Sequence, residues 1–234
     1  MAIDYSLLQR ARHGHAFLRI YRWEPACLSF GRNEPALKRY DREAIRALGV
    51  DTVRRPTGGR AVWHEHEVTY AVAAPQHAFG SLQTTYLAIH RMLAEALASL
   101  GAPVQHADAT RNADALGAGP CFSSPVGGEI LARGRKLVGS AQFREGEAFL
   151  QHGSILLDGG QDIIGQISRG KKRLALHATS LNAAIGRTVD FDEVSDAIAD
   201  HARRQWPGPW NTPPSSPQPS SCFSFDDSAW TWRR

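Results

Sequence analysis

The sequence predicts an α+β fold: a mixed, largely antiparallel sheet flanked by helices. Two observations carry this. Short runs rich in β-branched and aromatic residues recur along the chain, and most are joined by turn residues, as in hairpins. Only a few segments between them show helical spacing. The clearest is 81–100, where Tyr86, Ile89, Leu93, Leu97 and Leu100 share one stripe and Gly101 follows as a stop.

In chain order, residues 4–13 read as a first helix, with Leu7, Leu8 and Ala11 on one face and His13-Gly14 as its close. Residues 16–23 and 26–30 read as strands, the second ending at Gly31. Asp41 caps a short helix whose apolar stripe is Ala44, Ile45 and Leu48, stopped by Gly49. A strand over 50–55 leads into a glycine-containing segment and a long extended run that Pro75 ends. Residues 103–119 read as irregular. Residues 129–132 and 135–142 read as a hairpin turning at Arg133-Gly134, and 149–157 as another strand. Residues 162–167 suggest a helical turn and 169–173 a basic surface run. Helices are expected over 179–185 and 192–205, the latter capped by Asp190 or Asp192. From Trp206 the chain changes character. Six prolines among serines mark 207–234 as a Pro/Ser-rich C-terminal tail beyond a domain over 1–206.

Composition narrows the class. The 234 residues are 42% hydrophobic and 21% charged, enough apolar material for a real core. The formal charge of +4 favours an acidic partner, but no Lys/Arg block or stacking aromatics argue for nucleic acid. Three cysteines make neither a disulfide framework nor a paired metal motif, which fits a reducing cytoplasm. No apolar run approaches membrane-spanning length, and the first residues lack the apolar core of a signal peptide.

The segment Arg54-Arg55-Pro56-Thr57-Gly58-Gly59-Arg60-Ala61-Val62-Trp63-His64 concentrates the chemistry. Its glycines let the backbone take positive φ and let a ligand approach peptide N–H groups flanked by guanidinium groups. Such a place suits a carbonyl, carboxylate or phosphate. The plainer reading is a β-hairpin whose glycines serve only its turn. Cys121, in the loop Pro120-Cys121-Phe122-Ser123-Ser124-Pro125, is the best nucleophile candidate. Lys136 follows 15 residues later in the next hairpin, where its ammonium would lower the thiol pKa. A small buried hydrophobe is the alternative for Cys121, and is the assignment for Cys27; Cys222 receives no role. His64 and His66 have no matching third ligand, so no metal site is expected. His152 is either a substrate contact or a satisfied core histidine.

Three segments together resemble one family. The glycine segment is similar to the Arg-Arg-x-[Ser/Thr]-Gly-Gly-[Gly/Arg]-Ala-Val-x-His signature of lipoate-protein ligases and octanoyltransferases. Residues 134–142 resemble their lysine strand, and 150–156 the strand that follows it. The likeness runs from about Asp4 to about Trp206. The Cys121 loop, with Glu67-Val68-Thr69-Tyr70, looks like the cysteine-dependent LipM-type branch. The resemblance implies the fold of biotin- and lipoate-protein ligases and of class II aminoacyl-tRNA synthetase cores. It implies that Cys121 is an acyl-thioester nucleophile and Lys136 its activator. It also implies an acyl pocket lined by Arg55, Thr57, Gly58, Gly59, Arg60, Ala61, His64, Gly139, Ser140, His152 and Gly153. The implied reaction moves octanoyl from octanoyl-acyl carrier protein to a lysine of a lipoyl-accepting protein, such as a glycine cleavage H protein or a lipoyl domain. It needs no cofactor. The alternative is a ligase that uses ATP and Mg²⁺ to form a lipoyl-adenylate. A third reading is a non-catalytic acyl- or biotin-binding module.

Overall fold

The computed structural model describes residues 1–107, 128–169, 178–212, 225 and 227–233. In chain order the elements are α1 (Ala2–Ala11), β1 (Phe17–Tyr21), β2 (Cys27–Phe30), α2 (Ala36–Arg39), α3 (Arg42–Ala47), β3 (Asp51–Arg54), β4 (Val62–His64), β5 (Glu67–Pro75), α4 (Leu82–Ser99) and β6 (Val104–His106). They continue as β7 (Ile130–Ala132), β8 (Arg135–Lys136), β9 (Val138–Glu145), β10 (Ala148–Leu156), α5 (Ile163–Ile167), α6 (Leu181–Ile185), α7 (Phe191–Gln205) and α8 (Ser228–Thr231).

The main sheet is antiparallel, in the order β1-β5-β10-β9. Its two inner strands are buried along their whole length, so their alternation separates two apolar faces rather than core from solvent. Val68, Tyr70, Val72 and Ala74 pack with Phe149 and Ile155 against the stripes of α4 and α7. Ala71 and Ala73 pack with Ala148 and Leu150 against Leu7, Leu8 and Ala11 of α1. The small alanines let α1 lie close to the sheet. Ser81 and Asp190 cap the long helices, each accepting a backbone N–H with its side chain. Asp41 caps α3 in the same way.

A second sheet, in the order β3-β2-β4, corrects the hairpin reading of the glycine segment. β3 runs parallel to β2 and β4 antiparallel to it, so the two strands flank β2 and do not pair with each other. The glycine segment must therefore cross over the end of β2. It does so in close contact with Gly31: a Cβ there would stand 1.9 Å from the Gly59 carbonyl oxygen, and the Arg32 N–H donates to the Thr57 carbonyl at 2.8 Å. The expected hairpin at Arg133-Gly134 is present, with both residues at positive φ. After Lys136, however, the chain leaves the small sheet β6-β7-β8 and joins the main sheet as β9. β6 also replaces part of the stretch expected to be irregular.

Residues 213–224 of the Pro/Ser-rich stretch lie outside the described residues, as does most of the basic run at 169–173. The described residues beyond that stretch are packed. Asp227 caps α8, and Trp232 joins Phe30, Tyr40 and Trp63 in the core of the second sheet. Arg54 holds this segment. Its fully buried guanidinium donates to the carbonyls of Trp230 (2.8 Å) and Thr231 (2.9 Å) on one side, and of Gly31 (2.5 Å) and Glu34 (2.8 Å) on the other. Burial pulls its pKa down only to about 10, so it stays charged at neutral pH. An Arg54→Met variant keeps much of the volume but leaves those carbonyls without their donor. We expect it to unfold about 3 kcal/mol more easily in urea, given the cost of unpaired buried polar groups. An unchanged denaturation midpoint would contradict this assignment.

Candidate active site

The extended run after the glycine segment is broken at Glu65-His66, which places β4 and β5 in different sheets. The break folds His64 onto Glu67, with Nδ1 2.7 Å from Oε1, and leaves His66 exposed. The two histidines therefore do not share a buried face, and no cluster of metal-ligating side chains occurs among the described residues. Glu67 Oε1 also accepts the hydroxyls of Thr69 (2.5 Å) and Ser154 (2.9 Å), while Oε2 has no hydrogen-bond partner among the described residues. Trp23 stacks on the His64 ring at 4.5 Å and donates its indole N–H to Thr69.

On its other side, His64 Nε2 stands 2.5 Å from Ser29 Oγ. That oxygen also accepts from Arg55 at 2.6 Å; because the Glu67 carboxylate at Nδ1 only accepts, Nδ1 donates there and the serine hydroxyl is placed to donate to Nε2. Arg55 also donates to the carbonyls of Ser29 (3.0 Å), Gly58 (3.1 Å) and Arg60 (2.7 Å), which shapes the glycine segment from within.

A second imidazole lies across the main sheet. His152 Nε2 is 2.6 Å from Thr57 Oγ1, and Nδ1 is 3.3 Å from Asp4 Oδ2. Asp4 also accepts from Arg19 (2.6 Å) and Tyr21 (2.8 Å). Burial pushes the Asp4 carboxyl up, but the His152 hydrogen bond and the surrounding positive charges outweigh it and hold the group well below the usual range. Burial pulls His152 down, so it is neutral and donates from Nδ1.

Lys136 and Glu129 form a third buried pair, with Nζ 2.5 Å from Oε1. A fourth group joins strands to α4. Ser140 Oγ lies 2.7 Å from the Tyr70 hydroxyl and 2.9 Å from His90 Nε2, and Gln151 donates to Tyr70 at 2.8 Å. Burial raises Tyr70 to about 12 and lowers His90 to about 3, so both are neutral.

Between these groups lies a cavity of about 20 Å³ lined by Met1, Arg55, Val62, His64, Thr69, Gly139, Ser140, Ala141, His152, Gly153 and Ser154. That volume holds about one water molecule, well short of an acyl chain. Of the residues named for an acyl pocket, Arg55, His64, Gly139, Ser140, His152 and Gly153 line this cavity. Thr57 is one hydrogen bond away through His152. Gly58, Gly59 and Arg60 are in the turn that Arg55 shapes, and Ala61 is buried in the second sheet's core. Lys136 sits in β8, immediately before β9 enters the site. Cys121 lies outside the described residues.

Sequence reasoning did not single out Asp4, Ser29, His90, Glu129 or Ser154. An acid in the first turn of a helix ordinarily signals only the helix dipole. The signal for Glu129 was a charge beside the apolar run Ile130-Leu131-Ala132.

This architecture is the one found in lipoate-protein ligases. The structure resembles that of lipoate-protein ligase A bound with ATP, with a TM-score of 0.70 and 19% identity over 87% of this chain and 78% of that one. It also resembles the putative lipoate protein ligase Ta0514 from T. acidophilum with bound lipoic acid, with a TM-score of 0.71 and 18% identity over the same shares. The sequence pattern of the lipoyl protein ligase A/B catalytic domain matches residues 1–203, and the chain belongs to that family. It is 38% identical to the octanoyltransferase LipM of Moorella thermoacetica over 213 residues, 85% of this chain and 78% of that protein. It is 39% identical to the octanoyltransferase LipM of Carboxydothermus hydrogenoformans over 211 residues, 88% of this chain and 75% of that one.

Two expectations follow from the geometry. A Cβ at Gly153 would stand 2.5 Å from Ser140 Oγ, 2.6 Å from the Gly139 carbonyl and 2.8 Å from the Tyr70 ring. Gly153→Ala should therefore cost about 1–3 kcal/mol through overpacking and cut acyl transfer by displacing Ser140, read by thermal melting beside a transfer assay. An alanine variant with wild-type melting and turnover would refute this. Asp4→Asn removes the charge that answers Arg19 and should cost about 3 kcal/mol at pH 7. Because the folded pKa lies below the unfolded value of about 3.9, this stabilisation is present above that pH and is lost as acid is added. Urea curves at pH 7 and pH 3 should show the gap between wild type and Asp4→Asn narrowing in acid; a constant gap would count against it.

Proposed function

We propose that this chain transfers an octanoyl group from octanoyl-acyl carrier protein to a lysine of a lipoyl-accepting protein, through a thioester on Cys121. The observation that carries the reading is its 38–39% identity, over most of its length, to octanoyltransferases. On that kinship the chain is an acyltransferase of protein lipoylation. The ATP-dependent ligase alternative has no comparable support, because the likeness to the ATP-bound ligase at 19% identity is one of fold.

The chemistry divides one acyl transfer into two. The Cys121 thiolate attacks the carbonyl carbon of the donor thioester, the carbonyl becomes an oxyanion, and the carrier thiolate leaves. The acceptor lysine then attacks the new thioester as a free amine. An amide forms, the Cys121 thiolate is released, and the lysine's proton passes to a base. The departing thiolate fills that role, because Lys136, already an ammonium paired with Glu129, cannot accept a proton. A buried ammonium close to the thiol favours its ionised form, and Glu129 keeps Lys136 ordered for this purpose. β9 is an edge strand of the main sheet, so N–H groups on its unpaired side are available to an oxyanion near Gly139 and Ser140; the Gly58-Gly59 turn is the other candidate. The cavity walls hold the acyl chain once displaced.

Neither step consumes ATP, a metal ion or another cofactor. The net charge of +4 suits an acidic carrier protein. We place the reaction in the cytoplasm. Among the described residues no helix is long and apolar enough to cross a membrane, and Cys27 is a free, buried thiol.

Incubation with octanoyl-acyl carrier protein and no ATP should add one octanoyl mass to the protein, removable by hydroxylamine. Cys121→Ala should abolish that adduct and slow transfer by at least about a thousandfold, the scale on which an acyl-transfer nucleophile acts. Normal transfer by Cys121→Ala, or a strict requirement for ATP and free lipoate, would overturn the proposal.

A further inference from the structure

The cavity wall carries many polar side chains, and the destinations of their protons decide which ligand head group they can hold. Thr69 on β5 and Ser154 on β10 donate their hydroxyl protons to Glu67 Oε1 at 2.5 and 2.9 Å. His64 Nδ1 on β4 donates to the same oxygen at 2.7 Å, and its Nε2 accepts from Ser29. Ser140 donates to His90 Nε2 at 2.9 Å, because His90 Nδ1 faces the Gly128 carbonyl at 2.7 Å and must carry the ring proton. His152 donates from Nδ1 to Asp4 and accepts from Thr57. Arg55 turns Nη1 to the Ser29 carbonyl and hydroxyl oxygens, and Nη2 to the Gly58 and Arg60 carbonyls. These protons are all committed to protein acceptors.

Glu67 takes three of them. It does not line the cavity; it sits behind His64, Thr69 and Ser154, which do, and draws their protons away from it. An imidazole N–H and two hydroxyls converging on one oxygen make a set of donors suited to a carboxylate. Here the protein's own side chain fills that place. Its Oε2 has no hydrogen-bond partner among the described residues, so the wall donors are what pairs it. An incoming free acid faces two poor outcomes. It takes those donors and leaves Glu67 buried and unpaired, or it remains unpaired itself. An uncharged acyl carbonyl escapes most of that cost.

We propose that Glu67 determines the class of acyl head group this site accepts: by engaging His64, Thr69 and Ser154 it withholds them from a carboxylate, and so turns the site from free fatty acids toward uncharged acyl groups such as thioesters. That the ligand is acyl rests on the function proposed above; the choice between charged and uncharged heads is read separately. Met1 also lines the cavity. Burial disfavours the charged form of its amine, and that group is common to every protein compared.

The experiment titrates octanoate and octanamide into full-length wild type, Glu67→Ala and Glu67→Gln by calorimetry at pH 7, where octanoate is ionised. Neither probe acylates a thiol. Wild type is also assayed for transfer from octanoyl-acyl carrier protein without ATP. Wild type should bind octanamide more tightly than octanoate. In Glu67→Ala the Thr69 and Ser154 hydroxyls can turn to the cavity, and the octanoate-to-octanamide affinity ratio should rise at least about tenfold, the scale of one hydrogen bond to a charged group. Glu67→Gln keeps an oxygen that accepts the same protons, so its ratio should stay within about threefold of wild type. An unchanged ratio in Glu67→Ala overturns the proposal, even where wild type transfers octanoyl normally. A rise in Glu67→Gln equal to that in Glu67→Ala also overturns it, because charge repulsion then explains the exclusion. Failure of both probes to bind any of the three proteins does the same. A raised ratio in Glu67→Ala alone, in a chain whose wild type performs no ATP-independent transfer, supports this proposal while removing the function proposed above. If Glu67→Ala does not fold, Glu67→Val, whose branched side chain suits strand β5, is judged by the same ratio.

Discussion

Three carboxylates, Asp4, Glu67 and Glu129, are taken almost wholly out of water, and each must find a compensating donor inside the fold. That requirement organises the site. Asp4 reaches from α1 to Arg19 and Tyr21 around β1 and to His152 on β10, so a helix is fastened to strands remote in sequence. Glu67 gathers His64, Thr69 and Ser154, and ties the two sheets at the point where the chain passes between them. Glu129 holds Lys136 across the β7–β8 turn. Apolar packing alone would tolerate sliding of these elements. A buried carboxylate left without its donor would not.

The same arrangement limits what the site can accept in its present form. The cavity beside these groups is small, and its walls include Gly153, where a side chain is excluded because neighbouring strands occupy the space. Movement of the walls is easiest where few apolar contacts bind them. The glycine turn does not itself line the cavity but adjoins its Arg55 wall: Gly59 is exposed, and the turn is held by Arg55 through carbonyl contacts and by the close approach to Gly31. Arg55 and Arg54, adjacent in sequence, thus do separate work. One shapes the turn; the other anchors the end of the chain beneath it.

Much of the fold was legible because its signals are local. The stripe of α4, the caps at Asp41 and Asp190, and the Arg133-Gly134 turn depend on residues within a few positions of each other. What was not legible depends on partners far away in sequence. Nothing in the 50–55 and 61–64 runs reveals that both pair with β2 rather than with each other. The extended run through Tyr70 carries four consecutive polar residues, His64 to Glu67, but polar residues alone do not distinguish a strand from a bend. α8 follows a stretch rich in proline and serine, and its docking rests on Arg54, 176 residues from Trp230. At the site, the glycine motif and its neighbours were readable as residue types, and six of them line the cavity. Asp4 and His90 were hidden because one resembles a helix-dipole acid and the other a polar residue within an apolar stripe.

The distances also offer two arrangements that mimic a nucleophilic triad: Ser29–His64–Glu67 and Thr57–His152–Asp4. Neither supplies a competent nucleophile. Ser29 is 0% exposed, and its oxygen is engaged by the Arg55 guanidinium, which draws electron density away from the atom that would have to attack. Thr57 is equally buried and hydrogen-bonded to a neutral imidazole at the centre of the fold. Cys27 is no better, because burial raises its thiol to about 12 and leaves almost no thiolate at neutral pH. These groups have the spacing of catalysis without the access it needs. Their hydrogen bonds are fully explained by the need to satisfy buried polar atoms where two sheets meet. A covalent route to acyl transfer, as we propose, would therefore draw its nucleophile from outside that network. The nucleophile we propose, Cys121, lies outside the described residues, and a thiolate there would have the chemistry the network lacks.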